Sequence, residues 1–414
     1  MNSDFSVTRR DFLKQTSVSA AALATSTWIS RAQSGARANG RISIGMIGVG
    51  DRASSHVHEL LALTEKQNVA ITAVCDVWKK NREAAAATVA RSCGREPRQF
   101  TRFNELLAWR DVDAVVIATP DFSHAPILIA AIEAGKDVYI EKPMTIDIAA
   151  ANKALDLACA NRRVVQAGTQ RRSDGHFIAA AKCVGTGALG KLNRISAAMN
   201  VNQTRWMRRV DDCREADVDW EAFTLGTLKR SFDPRLLRCW QLFRDTSNGM
   251  PGLWMTHYAD AVHMLTNAKY PSSAVSLGGN YVWKDGREHA DTFHTLLEYP
   301  EGFLFDWSMG LGNSAGVHFT LHGTKGTLDA EKWTCSNDGA ADAKPADIAL
   351  TKISPERSVS HIENWLECLR SRARPNADIE FGHQHVVATV MAAVALETGR
   401  RQKWDPAKRE LFAV

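Results

Sequence analysis

Residues Arg41-Ile-Ser-Ile-Gly-Met-Ile47 form an apolar run that feeds directly into Gly48-Val49-Gly50-Asp51-Arg52-Ala53. The run reads as a β-strand ending in a tight turn, because glycine reaches backbone conformations closed to other residues. In this G-x-G-x-x-A pattern Gly48 permits the turn, Gly50 lets the backbone approach a pyrophosphate, and Ala53 keeps the helix close to the strand. Phosphates would rest on the helix N-terminus at Asp51 and Arg52, where unpaired N–H groups and the helix dipole favour anions. A second strand, Val69-Ala-Ile-Thr-Ala-Val-Cys75, ends in Asp76, 28 residues beyond Gly48. An acid at that strand end accepts hydrogen bonds from an adenosine ribose and repels a 2′-phosphate, which favours NAD. Trp78-Lys79-Lys80 and Arg82 could accommodate the phosphate, leaving NADP as the alternative.

The rhythm continues outward from this unit. Asp113-Ala-Val-Val-Ile-Ala-Thr119 is a strand, followed by Pro120-Asp121-Phe122-Ser123-His124 and an apolar-periodic helix through Ala134. Asp137-Val-Tyr-Ile140 is the next strand and delivers Glu141-Lys142-Pro143. A helix from about Ile146 to Ala160 and a strand Arg163-Val-Val-Gln-Ala167 then close a six-stranded α/β Rossmann domain over residues 39–167. Strands alternating with helices make its sheet parallel. Open α/β sheets bind ligands outside the carboxyl ends of their strands, which is where Thr119, Pro120, His124, Glu141, Lys142 and Gln170 emerge.

Residues 168–414 are long enough for a second core. Leu192–Met199, Thr292–Tyr299, Gly302–Met309 and Gly316–His322 read as strands joined by short turns such as Pro300-Glu301-Gly302. The prediction is an α+β domain with an open, mostly antiparallel sheet, helices on one face, and C-terminal helices returning to the Rossmann domain. Residues 337–345 form a loop-like, low-complexity stretch.

The chain resembles the Gfo/Idh/MocA oxidoreductases, named for glucose–fructose oxidoreductase, inositol dehydrogenase and a rhizopine-catabolism protein. The likeness rests on Gly48-Val-Gly50 with Asp76, Ala118-Thr-Pro-Asp-Phe-Ser-His124, Glu141-Lys-Pro143 and Gly168-Thr-Gln-Arg-Arg-Ser173. It extends through His257-Tyr-Ala-Asp260 to the helix His361–Arg370 and Trp404-Asp-Pro406. The resemblance implies a sheet face covered by a second subunit, hence a homodimer or homotetramer, and a cis bond before Pro143. It also places His257 opposite Lys142 at the nicotinamide. There the imidazole takes a hydroxyl proton, and Lys142, its pKa lowered by its surroundings, shares it. Family members commonly carry Asp four residues before this histidine; here the position is Leu253.

Gly252–Leu265 reads as one amphipathic helix on which His257 and Asp260 share a face, making Lys142, His257 and Asp260 the candidate catalytic residues. His263 completes an H-x-x-D-x-x-H spacing, but no further ligand stands nearby and no metal is expected. The chain has 12 Trp. Trp206, Trp220, Trp240 and Trp254 are interleaved with arginines, an arrangement suited to a sugar whose C–H faces stack while its hydroxyls bond. Candidate substrate contacts are Lys142, Arg171, Arg172, Trp206, Trp240 and His257.

Thr8-Arg-Arg-Asp-Phe-Leu-Lys14, the weakly apolar run Ser17–Ile29 and Ala36-Arg-Ala38 read as a twin-arginine export signal over residues 1–38, and the location as periplasmic. That run is too short and too rich in Ser and Thr for a membrane span. The chain has 51 Lys+Arg against 46 Asp+Glu; removing five and two of these with the signal leaves 46 against 44. No basic cluster points to nucleic acid. Eight cysteines without a C-x-x-C pair describe neither a zinc site nor a disulfide scaffold.

Free NAD is scarce outside the cytoplasm, so an exported enzyme should hold its cofactor tightly and regenerate it in place. The expectation is a nicotinamide-dependent oxidoreductase acting on a sugar, sugar derivative or polyol. The alternatives are a redox-neutral glycoside hydrolase or lyase working through a transient keto-sugar, and a sugar-binding protein with a structural nucleotide.

Overall fold

The computed structural model describes residues 40–340 and 350–414; residues 1–38, where the export signal is expected, and most of the 337–345 stretch lie outside them. The first layer runs β1 (Ile42–Ile47), α1 (Asp51–Ala62), β2 (Val69–Cys75), α2 (Lys79–Cys93), β3 (Arg98–Phe100), α3 (Phe103–Ala108), β4 (Ala114–Ile117), α4 (Asp121–Glu133), β5 (Asp137–Ile140), α5 (Ile148–Ala160) and β6 (Val165–Ala167). All six strands are parallel, in the order β3-β2-β1-β4-β5-β6. Every residue of β4 and β5 is buried, as expected when helices cover both faces. The order reverses between β1 and β4, so a crevice opens beyond their carboxyl ends. Arg98-Gln-Phe100 gave no strand signal in the sequence; it is a short edge strand whose first two residues are exposed.

The second layer contains α6 (Gly175–Gly185), β7 (Leu192–Asn202), α7 (Trp220–Thr224), α8 (Pro234–Arg238), α9 (Thr256–Thr266), β8 (Ser273–Gly279), β9 (Thr292–Tyr299), β10 (Phe303–Gly310), β11 (Gly312–Gly323), β12 (Thr327–Asp329), β13 (Thr334–Ser336) and β14 (Thr351–Lys352). It continues with α10 (His361–Ser371), α11 (Ile379–Thr398), β15 (Gln402–Asp405) and β16 (Glu410–Ala413). Its sheet has the order β14-β13-β12-β11-β7-β10-β9-β8-β15-β16 and is antiparallel except for β7 beside β10. Along β9 buried and exposed residues alternate, because one face packs under helices while the other is open. Val275, Leu277, Leu296, Leu304 and Val317 stand exposed on these strands.

Two C-terminal helices tie the layers together. Ile362, Trp365 and Leu366 of α10 pack into the Rossmann core with Val57, Val74 and Tyr139. On α11, Ile379, Val386 and Val390 join the Rossmann side while Val387, Ala388 and Met391 join the core of the large sheet. A helix buried on opposite sides must be apolar nearly all round. Among the described residues α11 is the one helix long and apolar enough to cross a membrane, and most of it is buried inside the protein.

The connection from β7 to α9 carries only short helices, and it folds across the edge of the Rossmann domain. Its Asp219 N–H donates to the Val77 carbonyl (2.9 Å), and the Phe122 N–H donates to the Thr246 carbonyl (3.2 Å). Phe223, Leu236, Leu242 and Phe243 form a small core that also seats Val77 and Phe122. Arg102 pairs with Asp219 and Glu221, and Lys80 with Asp212. The single helix expected over Gly252–Leu265 is in fact a π-helical turn, Pro251–Met255, followed by α9.

Candidate active site

The carboxyl edge of the parallel sheet and the overlying connection enclose a cleft of about 510 Å³. Gly48 has φ +75°, and a Cβ there would lie 2.7 Å from the Thr119 side chain and 2.9 Å from the Ala118 carbonyl. Only glycine fits that turn. Against the same turn, the Asp76 carboxylate accepts the Val49 and Trp78 backbone N–H groups, each at 2.9 Å, which fixes it at the cleft wall. Burial pushes its pKa up, opposed by those N–H donors. Gly48, Gly50, Asp51, Arg52, Asp76, Thr119 and Pro120 all line this cleft. A side-chain-free turn, the start of α1 and an acid at the end of β2 fit a dinucleotide.

A second cavity of about 500 Å³ shares Arg52, Ala118, Thr119, Arg208, Trp240 and Gln241 with the first. It adds Asp121, His124, Glu141, Lys142, Gln170, Trp206, Leu253, Trp254 and His257. The peptide bond between Lys142 and Pro143 is cis. Lys142 Nζ donates to the Leu253 carbonyl at 2.6 Å, joining the end of β5 to the start of the α9 region. Burial lowers the pKa of Lys142, against the pull of Asp121 and Glu141. Glu141 is enclosed by Arg52 Nε at 2.9 Å, His56 Nε2 at 2.7 Å and Gln170 Nε2 at 3.2 Å. Burial alone would raise its pKa, but His56, Arg52 and Lys142 hold it well below the usual carboxylate range. Gly168 packs so closely that a Cβ would sit 2.8 Å from Glu141 Oε2. His257 is half-buried, and burial with Lys142 and Arg171 nearby pushes its pKa well down, so its imidazole is neutral.

His124, which also lines this cavity, braces two loops: its ring nitrogens lie 2.7 Å from the Pro143 carbonyl and 2.8 Å from the Thr119 carbonyl. Trp206 and Trp240 line the cavity, as does Trp254, whose ring is stacked by Arg205 at 4.6 Å.

Three expected residues are turned elsewhere. Asp260 does not share the cavity with His257: it is fully buried and accepts Arg172 Nε at 2.8 and 2.9 Å. Arg172 is therefore committed to Asp260 and to the Phe381 ring 3.7 Å away, not to a substrate. Arg171 lies over Tyr258 at 4.2 Å and Phe177 at 5.1 Å rather than on the cavity wall. An i, i+3 pair shares a broad helical face, but the face is divided here between cavity and core. His263 Nε2 meets the Tyr299 hydroxyl at 2.8 Å, so the H-x-x-D-x-x-H side chains have separate partners.

The sequence reading missed Asp121, Gln241 and Arg208. Arg208 Nε donates to Asp51 at 2.6 Å and its Nη1 to Gln241 at 3.0 Å, so a cation from the second domain reaches the phosphate end. No spacing signal marks it, since Asp51 and Arg208 are far apart in the chain. Asp121 belongs to the Ala118–His124 motif, where no local spacing shows which cavity it lines.

Residues 42–169 match a family model described as "Oxidoreductase family, NAD-binding Rossmann fold", and residues 223–403 match its companion, "Oxidoreductase family, C-terminal alpha/beta domain". The chain belongs to the Gfo/Idh/MocA oxidoreductase family. Among its relatives, an uncharacterized oxidoreductase, YdgJ, of Escherichia coli is 25% identical over 69% of this chain and 70% of its own. Inositol 2-dehydrogenase 4 of Saccharopolyspora erythraea is 33% identical over 37% of this chain and 44% of its own. A glycosyl hydrolase family 109 protein of Shewanella is 27% identical over 41% of this chain and 37% of its own. The last two are thus matched over less than half their length. An aldose-aldose oxidoreductase from Caulobacter crescentus, solved with glycerol, superposes with a TM-score of 0.67 at 18% identity, covering 88% of this chain and 99% of that one, which establishes a shared fold.

Proposed function

We propose that this Gfo/Idh/MocA oxidoreductase acts on a sugar, sugar derivative or polyol with a tightly held nicotinamide cofactor, NAD in preference to NADP. The observation that carries the reading is that Lys142 and His257 line one cavity, walled by Trp206, Trp240 and Trp254, that runs into the dinucleotide cleft. When bound, the nicotinamide exchanges a hydride with a substrate carbon. The neutral His257 imidazole accepts the departing hydroxyl proton, and Lys142, held on the Leu253 carbonyl, orients that hydroxyl and shares the proton. Asp76, pinned beside the ribose end, favours NAD through repulsion of a 2′-phosphate.

The β7–α9 connection, whose residues line the cleft and which a small core and ion pairs hold to the Rossmann domain, supports retention of the cofactor. Retention accords with export through the twin-arginine sequence at Arg9-Arg10 and a periplasmic location. The open sheet face with Leu277 and Leu296 supports a homodimer or homotetramer. A second reading, a redox-neutral glycoside hydrolase, is favoured by the likeness to the family 109 protein.

The test is single turnover of the protein with its bound nucleotide against free sugars and chromogenic glycosides, following nicotinamide absorbance and aglycone release together. Lasting reduction without release supports the oxidoreductase; release without lasting reduction replaces it with the hydrolase. Lys142→Met should abolish either reaction while nucleotide remains bound, and wild-type turnover in that variant would remove Lys142 from the chemistry.

A further inference from the structure

Leu253 contributes only its carbonyl to Lys142, so the cavity lacks a carboxylate at that position of the chain. One stands on the opposite wall. Asp121 opens α4, is 1% exposed and lines the same cavity. A Cβ built on Gly252 would lie 3.7 Å from Asp121 Oδ2 and 3.5 Å from the Pro143 ring, so the carboxylate sits where the Lys142-Pro143 segment meets the turn carrying Leu253. Ser247 Oγ donates to Oδ2 at 3.1 Å, and among the described residues Oδ1 has no hydrogen-bond donor.

We propose that Asp121 is the positioning carboxylate for Lys142, holding the amine charged and aimed into the cavity where residue 253 cannot. The proposal rests on the reading of Lys142 as the proton-handling group. Burial pushes Asp121 up to about 7 and Lys142 down, and the charge of each opposes the shift of the other. The other titratable groups lining this cavity are Asp121's neighbour His124 on α4, Arg52, Glu141, Arg208 and His257. Glu141 is already enclosed by His56, Arg52 and Gln170, whereas Asp121 has a single side-chain donor, Ser247. Asp121 is therefore the carboxylate free to answer Lys142.

The experiment is competitive acetylation of Lys142 by acetic anhydride in the full-length protein across pH, read by peptide mass spectrometry, which needs no turnover. Asp121→Asn should move the labelling midpoint of Lys142 down by about one pH unit or more, because an anion that stabilises the ammonium is gone. A Leu253→Asp change in that background should restore it. An unfolded variant would move the midpoint the other way, towards the ordinary lysine value of about 10.4. Should Asp121→Asn not fold, Ser247→Ala is the second variant: losing the hydrogen bond favours the neutral carboxyl and lowers the Lys142 midpoint. A midpoint unchanged in the folded variants overturns the proposal. In the wild type, sugar-driven reduction of the bound nucleotide tests the functional reading separately. Where that occurs, the pH–rate profile of Asp121→Asn should lose its limb near neutrality.

Discussion

Asp260→Asn separates a structural role from a catalytic one. Asp260 is fully buried and Arg172 is 6% exposed, with two contacts of 2.8 and 2.9 Å between them. Removing the negative charge leaves a guanidinium out of water with no counter-ion, a class of change that costs about 3–5 kcal/mol. The cation–π contact of Arg172 with the Phe381 ring, worth at most about 2 kcal/mol, is present in wild type and variant alike and does not offset the loss. Asparagine keeps the shape and one acceptor oxygen, so the loss should fall at the lower end, about 3 kcal/mol. With a urea slope of about 3 kcal/mol per molar, the unfolding midpoint falls by about 1 M. Urea unfolding by tryptophan fluorescence reads this directly, and single-turnover reduction of the cofactor is measured on the folded protein below the transition. The expected result is a lowered midpoint with reduction preserved. An unchanged midpoint with turnover lost would refute the reasoning and return Asp260 to the proton chemistry.

Gly48→Ala should weaken nucleotide binding roughly tenfold, since a left-handed residue costs about 1–2 kcal/mol even before its Cβ meets Thr119; calorimetric titration of nucleotide-free protein measures it, and unchanged affinity would displace the dinucleotide from this turn. Phe223→Ala removes a central side chain of the β7–α9 connection and should accelerate release of bound nucleotide about tenfold or more, read by chase with labelled NAD; equal release rates would mean that the connection does not retain it. Burial lowers His361 to about 4 and His383 to about 4, so the folded protein keeps both neutral while the unfolded chain protonates them near 6.5. Below that value the unfolded state binds more protons, so stability is complete above pH 6.5 and falls as pH drops towards 4, by about 1.4 kcal/mol per unit per histidine. Urea midpoints across this window should show a shallower slope in His361→Gln, and parallel slopes would exclude His361 as a source.

What the residues determined alone was local and covalent in reach. The strand ending at Gly48-Val-Gly50, the acid at Asp76 and the Glu141-Lys142-Pro143 turn follow from hydrophobic period, glycine geometry and spacing within one β-α-β rhythm. The matching of β1, β4 and β5 to apolar runs follows from burial on both faces. The return of C-terminal helices to the Rossmann domain is expected from the sequence, but that α11 joins two cores is not, because that depends on which two surfaces meet. Helical spacing put His257 and Asp260 on one face, yet only packing decided that one lines the cavity while the other meets Arg172, 88 residues away in the chain. Arg208 over Asp51 and the placing of Asp121 in one cavity with Lys142 are likewise products of tertiary approach. Sequence period fixes the direction a side chain leaves its own backbone; what it meets there is set by the fold, because charge, burial and hydrogen bonding act through space rather than along the chain.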